Sequence, residues 1–283
     1  MNNKPFRGRA IYQPSGAAAE YSQWACNLFN GCPNRCDYCY NRHSMTAKVL
    51  GADEVTMKKQ LLDAPKHDKH GREWHRIVRD EIYENSEQII RDGGLFLSFV
   101  SDPLLPETFQ ATLFVIRSCF SIFPSHPIPV TILTKSAWWL DPMDVRGMSI
   151  RDCLRNPTDD DPLLSKVKAN PNLSLGFTLT GMDEMERHCI SSTQERIEAM
   201  AWAHNNGIYT WASIEPVIDF DRAIAVIYKS MPYCKEYRIG LASKLGIKYS
   251  KADVESFLKK VKILNWNNTH KIILKKSVLD KIK

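Results

Sequence analysis

Residues 32–39 read Cys32-Pro33-Asn34-Arg35-Cys36-Asp37-Tyr38-Cys39, which places three cysteines at C-x3-C-x2-C spacing on one short segment. Three thiols so close in the chain can turn toward a common centre, and thiolate ligands select iron–sulfur clusters, zinc or copper(I) over hard cations. Gly31 and Pro33 suit a loop rather than a helix or a strand. A cubane [4Fe–4S] cluster normally takes four cysteine ligands. Three would leave one iron open, and an open coordination position is typical of a catalytic metal centre.

Two other uses of these cysteines follow from the same residues. Cys39 and His43 form a C-x3-H pair, so Cys32, Cys36, Cys39 and His43 could make a Cys3His zinc site. Disulfides are the weaker alternative, because the chain opens on a polar, basic segment without the apolar core of a secretion signal. We therefore expect a cytoplasmic, reducing location. No apolar run approaches the roughly 18 residues of a membrane span, and we expect no membrane segment.

The composition is that of an ordinary globular protein. Of the 283 residues, 43% are hydrophobic and 25% are charged, which suffices for one large domain or two small ones. Charge is uneven: residues 244–283 contain eleven lysines and three acidic residues, a net charge of +8, whereas the whole chain carries +6. Such a basic segment suits a phosphate backbone or another acidic partner, or else a solvated surface on terminal helices.

Along the chain, short apolar segments alternate with amphipathic helical segments. We expect six strands, at residues 21–29, 95–100, 130–133, 173–179, 208–214 and 237–241. Helices are expected over residues 45–64, 73–91, 107–119, 192–204, 221–230 and 252–264, followed by a short strand at 271–274 and a terminal helix. This alternation predicts an α/β fold with a parallel sheet built from βαβ units.

Polar side chains follow each of the six predicted strands. They are Cys32, Ser101 and Asp102, Lys135, Thr178 and Thr180, Glu215, and Ser243 and Lys244. In parallel sheets the functional residues gather at the carboxyl ends of the strands. The six placements therefore favour a site at the carboxyl ends of a parallel sheet over an isolated zinc-binding loop.

The cysteine pattern, with Tyr38 before the last cysteine, resembles the signature of the radical S-adenosylmethionine (SAM) enzymes. The wider segments 14–21 and 27–40 resemble the spore photoproduct lyase-like, DNA repair photolyase-related branch of that superfamily. The resemblance implies a partial (β/α)6 TIM-like barrel over residues 21–245. An irregular lead-in at 1–20 precedes it, and a basic, helical C-terminal extension at 246–283 follows.

The resemblance also implies an enzyme with lyase- or transferase-type chemistry. Its [4Fe–4S] cluster would be held by Cys32, Cys36 and Cys39, with SAM on the fourth iron. Reductive cleavage of SAM would yield a 5′-deoxyadenosyl radical that abstracts hydrogen from a substrate. A flavodoxin or a ferredoxin is the implied electron donor.

Seven further residues are the SAM contacts that the resemblance implies. Tyr38 would lie near the adenine, Lys135 would pair with the SAM carboxylate, and Glu215 would contact the adenine or ribose. The others are Ser101, Asp102, Thr178 and Thr180; the Gly-Gly-Glu motif of many members is absent. Six of the seven have an alternative role: Tyr38 as a core contact, Asp102 as a helix cap, Lys135 as a solvated lysine or a substrate-phosphate contact, Thr178 and Thr180 as strand residues, and Glu215 in a salt bridge.

The substrate and the catalytic residues stay open at this point. Photoproduct lyase uses a cysteine as hydrogen donor, and no cysteine lies between Cys39 and Cys119. Thymine-dimer repair would therefore need Cys119 or one of the later cysteines, Cys153, Cys189 and Cys234. The basic C-terminal extension and the pair Trp138-Trp139 would suit a nucleic-acid substrate. A zinc-stabilised nucleic-acid-binding module and a barrel that keeps its cluster without cleaving SAM are the alternatives.

Overall fold

The computed structural model describes residues 9–63, 73–122, 125–140, 171–242 and 245–283. Its main sheet contains the strands β1 Ile11–Tyr12, β2 Ala25–Cys26, β5 Leu95–Leu97, β6 Val130–Thr134, β7 Leu173–Thr178, β8 Tyr209–Val217, β9 Glu236–Leu241 and β10 Lys271–Leu274. Two short strands, β3 Phe29–Asn30 and β4 Thr56–Met57, pair with each other in an antiparallel ribbon.

The strands of the main sheet lie side by side in chain order, β1-β2-β5-β6-β7-β8-β9-β10. All neighbours from β2 to β10 are parallel, and β1 runs antiparallel to β2. The six predicted strands are all present, and the predicted extra strand at 271–274 is confirmed as β10, which extends the sheet beyond β9. The α/β fold with an open parallel barrel-like sheet is thus confirmed.

Helices connect most of the strands. They are α1 Ala47–Leu50, α2 Lys59–Leu62, α3 Trp74–Arg91, α4 Pro106–Ile122, α5 Thr193–Asn205, α6 Phe220–Ser230, α7 Lys251–Leu264 and α8 Lys276–Ile282. A capping box begins α5, because the Ser192 hydroxyl accepts from Glu195 N and the Glu195 carboxylate accepts from Ser192 N. None of the described helices is both long enough and apolar enough to span a membrane.

The helix predicted over residues 45–64 is wrong. The chain there forms α1, turns at Gly51, enters β4 and then forms α2. A Cβ on Gly51 would lie 2.8 Å from the Asn41 carbonyl oxygen, so the turn presses backbone against backbone. The pairing of β4 with β3, next to the cysteines, outweighs the local helix propensity of the segment.

The two faces of the sheet carry different cores. One face packs against the helices in a large aliphatic core that includes Val130, Ile132 and Ile239. The other face carries a small, mainly aromatic cluster around Phe96 and Trp211. Gly176 makes room for that cluster, since a Cβ there would lie 2.1 Å from the Trp211 ring. This second face leads to the site described below.

Strand β10 is attached to the sheet by charge as well as by backbone hydrogen bonds. Glu236 accepts from Lys271 Nζ at 2.9 Å and from Arg238 Nε at 2.7 Å. Burial raises the pKa of the Glu236 carboxyl, but the hydrogen bonds from Lys271 and Arg238 outweigh it and hold the pKa below its usual value.

A pH dependence of stability follows from Glu236. Because its folded-state pKa is lowered, its contribution is complete above the unfolded-state pKa of about 4.3 and is lost as the pH falls through the folded-state value. We expect Glu236→Gln to flatten the loss of unfolding free energy between about pH 5 and about pH 3, measured by urea unfolding. The exposed Glu255→Gln variant should show the same dependence of unfolding free energy on pH as the parent. If Glu236→Gln also left that dependence unchanged, the role given to Glu236 would be contradicted.

Candidate active site

A cavity of about 440 Å³ opens at the carboxyl ends of the parallel strands. Its wall includes residues 98–102 after β5, 133–135 at the end of β6, 178 at the end of β7, 213, 215 and 216 in β8, 241–242 at the end of β9 and 275 after β10. The cysteine loop closes another part of the wall with Cys32, Cys36 and Cys39. The sheet thus brings the three thiols and the ends of six strands to one chamber.

The backbone conformation at the start of the cysteine loop requires the glycine that the sequence has there. Gly31 has φ +77°, and a Cβ there would lie 1.9 Å from the Glu54 carbonyl oxygen. The neighbouring Cys32 N donates to Ala52 O at 2.8 Å. Only glycine combines this left-handed conformation with so close an approach. The residues after α1 therefore support the loop from one side.

Asp102 holds the loop from the other side. Its carboxylate accepts from Asn34 Nδ2 at 3.2 Å, Thr134 Oγ1 at 2.6 Å, Lys135 N at 2.6 Å and Leu104 N at 3.1 Å. Four protein donors thus occupy a carboxylate that has about four acceptor positions. This favours the structural alternative for Asp102 and links the ends of β5 and β6 to the cysteine loop. Beside it, the Ser101 hydroxyl donates to the Gly31 carbonyl oxygen.

Lys135 lies at the cysteine end of the cavity. Its Nζ stands 5.6 Å from the centre of the Tyr38 ring, within the range of a cation–π contact. Burial lowers the pKa of Lys135, but the negative charges of Cys36 and Glu186 outweigh it and raise the pKa above its usual value. The cavity therefore contains a permanent ammonium group next to the cysteine loop.

A buried ion pair that sequence reasoning missed lies behind Tyr38. Glu186 and Arg196 form a salt bridge, and both side chains are 0% exposed. The Tyr38 hydroxyl donates to Glu186 Oε1, and Thr180 Oγ1 donates to the same oxygen at 3.0 Å. Arg196 also donates to the Thr178 carbonyl oxygen at 2.8 Å. The pair thereby holds the tyrosine between Cys36 and Cys39 in a fixed position.

Cys189, one of the four later cysteines that the sequence offers as a hydrogen donor, lies next to the cysteine loop. Its Sγ lies 3.6 Å from the Sγ of Cys36. The hydrogen bond from Cys189 lowers the pKa of Cys36 to about 7; burial opposes this, and the charge of Lys135 adds to it. Cys32 differs, because burial and then the charge of Asp102 raise its pKa to about 12.

The far wall of the cavity carries a second charged group. Glu215 Oε2 accepts from Lys275 Nζ at 2.8 Å and from the Tyr21 hydroxyl at 2.5 Å. The Tyr21 hydroxyl lies 2.8 Å from Ser213 Oγ, and Lys275 Nζ lies 3.9 Å from the centre of the Tyr21 ring. The salt-bridge alternative for Glu215 is therefore present, with a partner from the C-terminal residues, and all four side chains line the cavity.

The structure brings most of the predicted site residues together. Those that line the cavity are Cys32, Cys36, Tyr38, Cys39, Ser101, Asp102, Lys135, Thr178 and Glu215. Thr180 differs: it is not part of the lining, and its hydroxyl is engaged with Glu186. Ser243 and Lys244 lie outside the described residues. The assignment of individual SAM contacts stays a prediction.

The geometry does not support the Cys3His zinc alternative. A zinc ion needs its ligand atoms within about 2.0–2.3 Å of one point. Over the described part of the chain, no group of three or more His, Cys, Asp or Glu side chains is placed to hold one ion. The ring Nε2 of His43 instead lies 2.8 Å from the Asp37 carbonyl oxygen.

An iron–sulfur cluster sets a different requirement on the thiols. In a cubane each cysteine binds its own iron, so the three sulfurs need to face one chamber rather than meet at one ion. Cys32, Cys36 and Cys39 do face one chamber, and their loop is tied to it on both sides. The soft donor set and its placement fit a cluster of this kind.

Comparisons with known proteins agree with this architecture. No protein-family model matches the chain, and no curated protein matches it. Among solved structures, a single-residue mutant of spore photoproduct lyase superposes with a TM-score of 0.57 at 9% identity, covering 93% of this chain and 78% of that one. Streptococcus suis SuiB bound to S-adenosylmethionine gives 0.45 at 10% identity, over 69% of this chain and only 42% of SuiB. The chain therefore has the fold of spore photoproduct lyase, as the resemblance of its cysteine motif to the radical SAM enzymes implied.

Proposed function

We propose that the chain is a radical SAM enzyme that holds a [4Fe–4S] cluster through Cys32, Cys36 and Cys39. The observation that carries the proposal is the cavity, which joins three thiols of one loop to the carboxyl ends of six parallel strands. When bound, the cluster would supply the electron that cleaves SAM to the radical that attacks the substrate. The fold shared with spore photoproduct lyase supports the proposal.

The chain's own residues would bind SAM and exclude water. Lys135 places a charge beside the cysteine loop, where it can pair with the carboxylate of SAM. Tyr21, Ser213 and Glu215 offer hydroxyl and carboxylate groups on the far wall for a ribose or an adenine. Apolar residues complete the lining, among them Phe99, and a largely apolar chamber protects a reactive radical from water.

The partners are part of the same proposal. A flavodoxin or a ferredoxin would reduce the cluster in the cytoplasm, where thiols stay reduced. A nucleic acid is one candidate substrate, with the C-terminal lysines as its supporting feature. Among the described residues, four of those lysines are engaged in ion pairs within the protein: Lys260, Lys271, Lys275 and Lys283.

The tryptophan pair does not support a nucleic-acid substrate. Trp139 is buried, and its ring nitrogen donates to the Ser136 carbonyl oxygen at 2.9 Å. Trp138 packs edge-on against Phe109 with ring centres 5.9 Å apart. Both rings are occupied by core contacts, so base stacking on this pair is not available.

An anaerobic assay tests the proposed function. The chain and a Cys36→Ala variant are reconstituted with iron and sulfide, treated with dithionite and SAM, and assayed for 5′-deoxyadenosine by liquid chromatography. We expect about four irons and four sulfides per wild-type chain, and product formation. Cys36→Ala should lose most of the bound iron and sulfide and most of the product. The control Cys234→Ala changes a buried cysteine next to the start of β9 and should keep the cluster and the product. A colourless wild-type chain that binds zinc and releases no 5′-deoxyadenosine would contradict the proposal.

A further inference from the structure

The Sγ atoms of Cys189 and Cys36 lie 3.6 Å apart although the residues are far apart in the chain. We propose that the Cys189 thiol donates a hydrogen bond to the sulfur of Cys36 and so raises the reduction potential of the cluster. This inference rests on the proposed function. It makes Cys189 a positioning residue, which acts on the cluster through one of its ligands.

The place of Cys189 is set by the segment that follows β7. Cys189 N donates to Glu186 O at 2.7 Å, and the side chain of Glu186 is fixed by its buried pair with Arg196. The same segment reaches the cysteine loop directly, because Met185 O accepts from Asp37 N at 2.9 Å. The cysteine loop and the segment after β7 therefore fix each other's position, which keeps the sulfurs of Cys36 and Cys189 in contact.

The direction of the hydrogen bond follows from the chemistry of the ligand. Two acceptors lie near the Cys189 thiol: Cys36 Sγ at 3.6 Å and the Asn34 carbonyl oxygen at 3.7 Å. A cysteine that binds iron is a thiolate and has no proton to give. Once the cluster is bound, Cys189 is the member of the thiol pair that can donate.

Cys189 is not a fourth ligand in this arrangement. Two sulfurs 3.6 Å apart are in van der Waals contact. Cysteines that held different irons of one cluster would not be in such contact, so a thiol this close to Cys36 is placed to donate to that sulfur rather than to hold another iron.

A donor at a ligand sulfur favours the reduced cluster. Reduction adds negative charge, and the positive end of the thiol dipole stabilises that charge. The effect is strong here because Cys36 is buried, and hydrogen bonds gain electrostatic strength away from water. Removal of the donor should thus make the cluster harder to reduce.

The test compares Cys189→Ala, Cys189→Ser and the control Cys234→Ala, each reconstituted anaerobically. Iron and sulfide analysis reports cluster content, and a redox titration followed by electron paramagnetic resonance reports the midpoint potential. Electron–nuclear double resonance after exchange into D2O reports the exchangeable proton near the cluster. We expect Cys189→Ala to lower the potential and to lose that proton, and Cys189→Ser, which keeps a donor, to stay closer to wild type. Cys234→Ala should match wild type.

The outcomes separate this inference from the proposed function. A wild-type chain without a cluster would overturn the proposed function, and the role of Cys189 with it. A loaded wild-type chain whose potential is unchanged in Cys189→Ala would overturn the role of Cys189 alone. So would a serine variant shifted as far as the alanine variant, because the effect would then not depend on a donor.

Discussion

Replacement of Arg196 with methionine is expected to lower the free energy of unfolding by about 3–5 kcal/mol, because it leaves the Glu186 carboxylate buried without its cation. Both side chains of this pair are 0% exposed. Methionine keeps an unbranched stem in the space of the arginine, so the lost charge and hydrogen bonds dominate the effect. Urea unfolding of the cluster-free chain, followed by circular dichroism, measures it.

A surface pair in the same region provides the control. Arg222 pairs with Glu184 at 2.5 Å, but their side chains are 47% and 54% exposed. Exposed pairs contribute little, so Arg222→Met should scarcely move the unfolding midpoint. The double variant Glu186→Leu/Arg196→Met should recover part of the loss: it removes the unpaired charge, but it leaves the Tyr38 and Thr180 hydroxyls without their acceptor. Equal, small losses in Arg196→Met and Arg222→Met would contradict the structural role of the buried pair.

The strands were predictable because their signal is local. Val130–Thr134 and Leu173–Thr178 are short runs rich in apolar and β-branched residues, bounded by loop residues, and such runs indicate buried parallel strands. The start of α5 was predictable for the same reason, since the residues of a capping box lie within four consecutive positions. The cysteine loop belongs to the same class, because the prediction of a metal-binding loop rests on the spacing of its cysteines alone.

The interior of the site was not predictable in the same way. The contacts from Tyr38 to Glu186 and from Glu215 to Lys275 join residues 148 and 60 positions apart. No local pattern encodes such contacts, and Cys189 belongs to the same long-range set. Lys275 had one usable signal. It directly follows β10, so counting β10 among the barrel strands would have placed its side chain at the mouth.

The wrong helix prediction at 45–64 shows where a local sequence pattern misleads. Residues such as Leu61 and Leu62 have the spacing of a helix, yet only α1 and α2 form. Cys32 N donates to Ala52 O at 2.8 Å and β4 pairs with β3, and these backbone contacts hold the turn against the cysteine loop. Tertiary contacts of a functional loop thus override local propensity at this point of the chain.

Lys135→Met is expected to weaken SAM binding by about 10- to 100-fold, since a hydrogen bond between charged groups contributes about 1.5–3 kcal/mol. The ammonium of Lys135 lines the cavity beside the cysteine loop, and its raised pKa keeps it charged. Methionine has a similar length and no charge, so it removes the proposed partner of the SAM carboxylate and preserves most of the packing. Equilibrium dialysis of the reconstituted, anaerobic enzyme against labelled SAM measures the dissociation constant.

Two comparisons make the Lys135 result interpretable. Lys248→Met changes an exposed lysine outside the cavity lining and should leave the dissociation constant unchanged. Iron content should be the same in all three proteins, because Lys135 contributes no ligand to the cluster. If Lys135→Met bound SAM as tightly as the parent, the assignment of Lys135 to the SAM carboxylate would be wrong. Its ammonium would then be left to bind the substrate, because the methionine end of SAM has to stay at the cysteine loop to reach the open iron.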